Sequence, residues 1–541
     1  MDLFGIFNRS DAKDRYPSRY KPKVPDWRDA PKITGDLNHT VKYLRQTAGR
    51  SIDFRISSSD INGREVAVAF FATITDKQVI EELLERIKSH DFPKHLSMKV
   101  LPSYLARHVL TSTNITIMEN LWEIRERLTL GEAILLVDGL NRAVSVGAGS
   151  VEQRRPNLPL LESSSRGAQV AFVEDLNINL GLLRHVLQSD ALTIREIVVG
   201  YRSRTRVALI YEHDVVNMTL LETVTKRIEA VHVDKLTGSA TLEQRIVDNR
   251  WTIFPLTRAN SRLDNATKEI GQGKILILVD GDPTGLIVPG NIFDNFQTME
   301  DDQHNYIEAT LIRWLRIVSF LLAIYLPGAY ISLTDFNPEL MPHILVMQIA
   351  GSRETVPLNA SLEVITMQFS IEIIREAALR MPKVMGQTIG IVGGLVLGQA
   401  AVEAGLVSNI LIVVIALTAI ATFVIPNYEF TTVTRILSWA NIIGASLFGV
   451  YGLLLMSMLM MYHMYSLKSF GSKYMVPING EHWKDFFLDG IFRFPLAMLD
   501  KRAEHLNNKE STRSSDYTDP APHPLLEKNP HVLKKSEDRR I

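Results

Sequence analysis

Four polar side chains, Asn359, Glu363, Thr366 and Ser370, follow one another at spacings of four, three and four residues. That spacing stacks them on one face of a helix. A carboxylate among amide and hydroxyl groups suits the passage of a cation, because acidic groups lining a pore favour cations electrostatically. On the same segment Gln368, Glu372, Arg375 and Glu376 gather on a second face. The stretch Leu358–Arg380 therefore has one apolar side and two polar ones. Ionised groups are costly against lipid, so this helix lies at a membrane interface, packs inside a bundle, or borders a wet pathway. A second candidate pair, Gln399 and Glu403, stands one helical turn apart. It fits a hydrated cavity or an interhelical hydrogen bond within a membrane, or a plain surface turn at Glu403-Ala404-Gly405.

Other chemistry finds no foothold. Asp138-Gly139 and Asp280-Gly281 each end an apolar run, ILLV and ILILV. A phosphate site there would need a glycine loop opening a helix and a Lys-Ser/Thr pair. A tight turn into a return strand is the simpler reading, since glycine accepts positive φ. The histidines His39, His90, His95, His108, His185, His213 and His232 show no ligand spacing, and the chain has no cysteine. The expectation is no enzyme, no catalytic residues, no metal site and no cofactor. A net charge of −1 gives no call for nucleic acid.

These residues need a frame of long helices. Charge-free runs occupy Ile317–Thr334 (18 residues), Val384–Val402 (19), Ala404–Tyr428 (25) and Ile436–Leu467 (32). About 20 residues cross the hydrocarbon core as a helix, so four membrane spans are expected. The last run exceeds one crossing, and it tilts, extends beyond the bilayer, or breaks near Gly449 and Gly452. Pro327 is expected to kink the first span and Pro426 to end the third. Gly386, Gly390, Gly394 and Gly398 repeat every four residues, a stripe that lets helices approach closely. Arg313 and Arg316 precede the first span, and Lys468, Lys473 and Lys484 follow the last. The positive-inside rule puts both flanks in the cytoplasm. Arg375, Arg380 and Lys383 prefer the same side, which four simple crossings cannot satisfy.

The first 310 residues are different in kind, and they repeat. VAVAFF from Val66 through the helix ending at Ile87 matches VALIY from Val207 through Ile228, at an offset of 141 residues. GEAILLVDG at Gly131 matches GKILILVDG at Gly273, at an offset of 142. Two agreeing offsets indicate a duplicated subdomain. The fold class is thus an α/β tandem-repeat soluble N-terminal region followed by an all-α multipass membrane domain. The boundaries read as an arm (1–35), two α/β subdomains (36–155 and 156–300), a membrane domain with at least four helices (311–470), a membrane-proximal segment (471–502) and a disordered tail (503–541).

Several stretches resemble the A subunits of the GerA family of spore germination receptors. They are DGDPTGLIVP at Asp280–Pro289, FNPELMP at Phe336–Pro342, SRETVP at Ser352–Pro357, IEIIREAALRMP at Ile371–Pro382, GQTIGIVGGLVLGQAAVEAGLVS at Gly386–Ser408, LTAIATFVIPNYEF at Leu417–Phe430 and LKSFGSKYMVPI at Leu467–Ile478. Asn337 stands where the family motif carries His. The resemblance implies a multipass protein of the spore inner membrane, and the positive-inside flanks put its soluble region on the cytoplasmic side. It implies a B-type transporter-like subunit and a C-type lipoprotein subunit as partners, and association of A subunits into a homo-oligomer. It further implies release of monovalent cations through a channel that opens when a nutrient germinant binds. On this reading Asn359, Glu363, Thr366 and Ser370 line the pathway. The alternatives are a non-conducting scaffold that transmits the signal, or a later-acting SpoVAF-type relative.

Overall fold

REVAVAFF and TRVALIYE, rich in β-branched and aromatic residues, form inner strands of two separate sheets. The computed structural model describes residues 31–61, 64–89, 101–105, 115–149, 167–168, 170–380, 398–476, 490, 492–495, 499 and 501–511. The first subdomain contains α1 (Leu37–Thr47), β1 (Phe54–Ile61), β2 (Arg64–Phe71), α2 (Lys77–Ser89), a short α3 (Leu101–Tyr104), β3 (Ile115–Met118), α4 (Leu121–Thr129), β4 (Glu132–Val137) and β5 (Ala143–Gly147). The second contains α5 (Leu176–Val186), β6 (Leu192–Val199), β7 (Thr205–Glu212), α6 (Met218–Glu229), α7 (Ser239–Ile246), β8 (Arg258–Asn260), α8 (Leu263–Gly271), β9 (Ile275–Val279) and β10 (Gly285–Val288).

The strand orders are β1-β2-β4-β5-β3 and β6-β7-β9-β10-β8, so the duplication read from the two offsets is one of topology. Every pairing in both sheets is antiparallel. The central strands EAILLV and ILILV are buried along their whole length because helices cover both faces. Ala67, Ala69 and Ile134 pack under α1 and α4, while Val68, Leu135 and Val137 pack under α2. The second copy repeats this division. Asp138 and Asp280 do sit at hairpin turns, and each has the same further task. Asp138 Oδ1 accepts from Leu37 N, and Asp280 Oδ1 from Leu176 N, both at 3.3 Å, at the first residue of α1 and α5.

The copies are joined by a buried ion pair. Arg184 is fully buried and donates to Asp53 through Nε at 2.7 Å and Nη2 at 3.0 Å, with its guanidinium 4.0 Å from the centre of the Phe71 ring. Such a pair specifies how two units seat more than it adds to stability.

Among the described residues, those from 306 to 466 are mainly helical: α9 (Tyr306–Ile331), α10 (His343–Arg353), α11 (Ala360–Arg380), α12 (Asn409–Phe423) and a long stretch Tyr428–Ser466. Two of these, Tyr306–Phe336 and Tyr428–Ser466, are long and apolar enough to cross a membrane. The long stretch is two helices. Gly449 has φ +56° and ψ −135°, outside the helical region, and only glycine tolerates such a φ without strain. The Gly444 carbonyl abuts Gly452, although residues eight apart in a straight helix are separated by about 12 Å. Phe430 and Met464 share one apolar cluster. The chain therefore reverses at Gly449, and α13 (428–448) and α14 (450–466) form a hairpin. The break expected near Gly449 is present.

The third run departs from expectation. Ala404–Tyr428 is not one helix: α12 spans 15 residues, about 22 Å. Gly405, at φ +65°, ends the preceding helical turn, with Gly405 N bonding Val402 O and Leu406 N bonding Ala401 O. This left-handed glycine stop consumes the start of the run, and Pro426 lies in the break at its end. Pro327 sits inside α9, which continues to Ile331. Most of Val384–Val402, with Gly386, Gly390 and Gly394, lies outside the described residues. Gly398 is described, and a Cβ there would make only an ordinary contact with Ile412.

Residues 503–511, expected within the disordered tail, instead pack on the second subdomain. Arg502 donates to Gly271 O, Asn508 to Gln272 O, and Asn217 to Leu506 O, at 2.7–3.1 Å. This strap covers Glu212. Burial, reinforced by Asp214, pushes the Glu212 pKa from 4.5 up to about 7, although Arg502 pulls the other way. The folded state thus binds a proton more tightly than the unfolded chain. Stability should be full below about pH 4.5 and fall as pH rises through about 7, by at most about 3 kcal/mol. Thermal midpoints of the full chain in detergent across this range should show the decline in wild type and lose it in Glu212→Gln. An equal decline in both would remove Glu212 as its source.

Candidate functional site

Charged groups within the helical half gather at three levels, and each gathering ties helices together. At the end nearest the second subdomain, Arg313 and Arg316 of α9 are buried. Arg316 Nη1 donates to Asp301 Oδ1 at 2.8 Å and to Phe296 O at 2.9 Å, and Arg313 Nη2 reaches Asp301 Oδ2 at 3.4 Å. Stacked rings of Phe320 and Phe430, 5.1 Å apart, pack alongside. The subdomain's own buried charges continue this level. Lys274 bonds Glu269 and Asp294 at 2.9 and 2.8 Å. Burial opposes these charges, but Lys274 and Arg258 outweigh it and pull the Glu269 pKa down to about 2. Next to Asp294, Asn295 accepts from Asn427 at 2.9 Å and donates to Tyr474 at 3.4 Å. Soluble core, helix junction and post-helix segment are thereby one bonded unit.

At mid-level, Glu372 of α11 bonds Arg375 at 3.1 Å and Arg435 of α13 at 3.0 Å. Arg375 also lies over the Phe423 ring at the end of α12.

At the opposite end, Asp335 accepts from Ser361 N at 3.2 Å and Ala360 N at 3.3 Å, holding the first turn of α11, as a carboxylate at a helix N-terminus does. Arg353 Nε donates to Glu363 Oε1 at 3.0 Å, and Arg353 Nη1 to Asp335 Oδ1 at 3.3 Å. The second Glu363 oxygen accepts from Ser408 N at 3.0 Å. Ser408 caps α12 and meets the Tyr330 hydroxyl at 3.0 Å. Arg353 of α10 and Ser408 at the start of α12 meet on Glu363 of α11, with Tyr330 of α9 and Asp335 one bond further out.

This revises the expected polar face. Asn359 and Thr366 are exposed and Ser370 is half-buried, whereas Glu363 is 0% exposed. Glu363 is therefore not an open carboxylate on that face in this chain. It lies at the border of the buried arc, where a carboxylate must find partners, and Arg353 and Ser408 supply them. Gln399 and Glu403 bond each other at 3.0 Å and are both exposed, beside the Gly405 turn. Of the expected polar residues, all among the described ones, Glu363 joins a network between helices. Asp335, Arg353, Ser408 and Arg435 carry a weak sequence signal: they flank apolar runs or fall within motifs.

A profile of the Bacillus/Clostridium GerA spore germination protein family matches residues 42–505. Spore germination protein GerLA of Bacillus cereus is 34% identical over 482 residues, covering 89% of this chain and 97% of that protein. Spore germination protein B1 of Bacillus subtilis is 34% identical over 490 residues, covering 89% and 99%. Among solved structures, the N-terminal domain of the A subunit of the Bacillus megaterium spore germinant receptor GerK3 aligns at 25% identity, covering 48% of this chain and 97% of that one, with a TM-score of 0.37.

Glu363→Ala should destabilise the full chain by about 3 kcal/mol, because among the described residues it leaves Arg353 with Asp335 as its sole carboxylate partner and Ser408 N without an acceptor. Glu363→Gln, which retains an acceptor for Ser408 N, should cost only about 1 kcal/mol. Thermal midpoints in detergent give the order. An alanine variant melting with wild type would show that the network holds nothing.

Proposed function

We infer the function from one premise: this chain belongs to the GerA family of spore germination proteins. It acts as the A-type subunit of a nutrient germinant receptor in the spore inner membrane, coupling germinant sensing to the release of monovalent cations. Its partners are B-type transporter-like and C-type lipoprotein subunits, and several A subunits associate around the conducting path.

The directions of the described helices support a multipass arrangement. α9 leaves the second subdomain, and its far end meets Gly449, where Phe336 packs. α11 starts beside Asp335 and returns toward Arg435. α12 starts beside Glu363 and returns toward Asn427. α13 and α14 run out and back as a hairpin. Arg313, Arg316 and Lys468 fall toward the subdomain side. With that side cytoplasmic, these flanks follow the positive-inside preference.

The observation that carries the conducting reading is the outward arc of α11. Asn359 and Thr366 are exposed there beside Leu362, Phe369 and Ile373, which are 49%, 59% and 55% exposed. Polar groups interleaved with large apolar ones fit a seam against another copy, with Asn359, Thr366 and Ser370 facing the path and Glu363 bracing it from behind. One observation favours the scaffold alternative: Asp335, Glu363 and Glu372 are each already ion-paired.

Full-length protein in liposomes distinguishes the two. A conducting oligomer should pass potassium, and Thr366→Phe should block flux without moving the thermal midpoint. Complete absence of flux with the assembled receptor would leave the scaffold. The chain has no native cysteine, so topology can be read directly. A membrane-impermeant maleimide should label Ile344→Cys from outside, and Glu222→Cys only after permeabilisation. The reverse pattern would invert the orientation.

A further inference from the structure

The loop between α7 and β8 carries Trp251, which is 96% exposed, and Ile253, 39% exposed. Nothing in the soluble core explains a bare indole. Its neighbours place it: Thr252 Oγ1 lies 3.0 Å from His463 Nε2, and the Phe254 ring lies 5.9 Å from the His463 ring. His463 is one turn before the end of α14. Trp251 thus stands at the level where the last apolar helix meets the soluble half, beside Tyr462 and Tyr465, themselves 76% and 49% exposed. Tryptophan and tyrosine concentrate at the headgroup level of membranes, where an apolar ring with a polar edge is best solvated.

Next to this loop is a cavity of about 440 Å³ lined by Arg227, His232, Arg245, Asp248 and Arg250 among others. Asp248 is already engaged: Arg227 bonds it at 2.7 and 2.9 Å, and it accepts from Phe470 N at 2.6 Å. Arg227 also lies over the Phe470 ring, 4.9 Å from its centre. Arg250 donates only to the Arg245 carbonyl at 3.2 Å, and the Arg245 guanidinium has no bond, both among the described residues. Both side chains are exposed. With Asp248 neutralised by Arg227, two arginines face an open cavity at the membrane level.

We propose that this cavity and Trp251 form a lipid-docking site, in which Arg245 and Arg250 hold the phosphate of an anionic phospholipid headgroup and Trp251 seats beside it in the interface. The occupant is a lipid rather than a soluble anion because the cavity adjoins an exposed indole and the apolar arm of α14, features that a free phosphate would not use. The site rests on the membrane reading above. It fixes the second subdomain against the bilayer near the last helix, a restraint separate from the ion pairs to α9.

The test uses the full chain in nanodiscs of brominated lipid, which quenches nearby tryptophan emission. Subtracting the Trp251→Phe signal from wild type isolates Trp251. Brominated phosphatidylglycerol should quench that component more strongly than brominated phosphatidylcholine. Each arginine near an anionic surface changes local lipid binding about five-fold, so Arg245→Gln/Arg250→Gln should abolish the preference while leaving elution on size exclusion unchanged. Equal quenching by both lipids, or no loss in Trp251→Phe, would overturn the proposal. Loss of the preference on adding inorganic phosphate would assign the cavity to a free anion and overturn it too. Trp314 and Trp439 lie in α9 and α13, and their quenching reports membrane embedding by itself, so failure of this site is distinguishable from failure of the membrane reading.

Discussion

Asp301 receives both arginines of the first helix. Two guanidinium groups beside an apolar run would anchor that helix at an aqueous boundary in any fold. Burying them against one carboxylate and the Phe296 carbonyl instead sets which turn of α9 touches the second subdomain. A buried pair of this kind adds little net stability and tolerates few alternative geometries. The position of α9 in turn decides where its other end lies, and there Asp335 starts α11 and Tyr330 meets the cap of α12. The helical half is thus built outward from one carboxylate.

The soluble half was legible because its information is local. Alternating strands, a turn glycine after each aspartate and two matching offsets are properties of short segments, and the sheets follow them. What local pattern could not supply was the second use of Asp138 and Asp280 at the helix starts, which depends on a segment more than 100 residues away. The Gly449 break was also legible, since a 32-residue apolar run exceeds one crossing and contains glycines.

The helix Leu358–Arg380 resisted reading for a physical reason. Its charges look prohibitive against lipid when taken one at a time, and their cost depends on partners in other helices. Glu363 finds Arg353 and Ser408, and Glu372 finds Arg435. Once paired, both permit a helix that periodicity alone left between interface, bundle and pathway. The reverse error occurred at Ala404–Tyr428, where the absence of charge suggested one long helix. Backbone events at Gly405 and Pro426, invisible to a hydropathy count, shorten it to 15 residues.

The segment after residue 500 has a consequence of a different sort. Arg502 bonds the carbonyl of Gly271, 231 residues earlier, so the strap closes a non-covalent ring that contains the entire helical half. Closing a ring this large removes substantial freedom from the chain, and the entropic cost grows only slowly with its size. While the strap is docked, every helix from α9 to α14 belongs to a loop whose two ends are held on one face of one subdomain. Any rearrangement of the helices that leaves the strap docked must keep those two ends together.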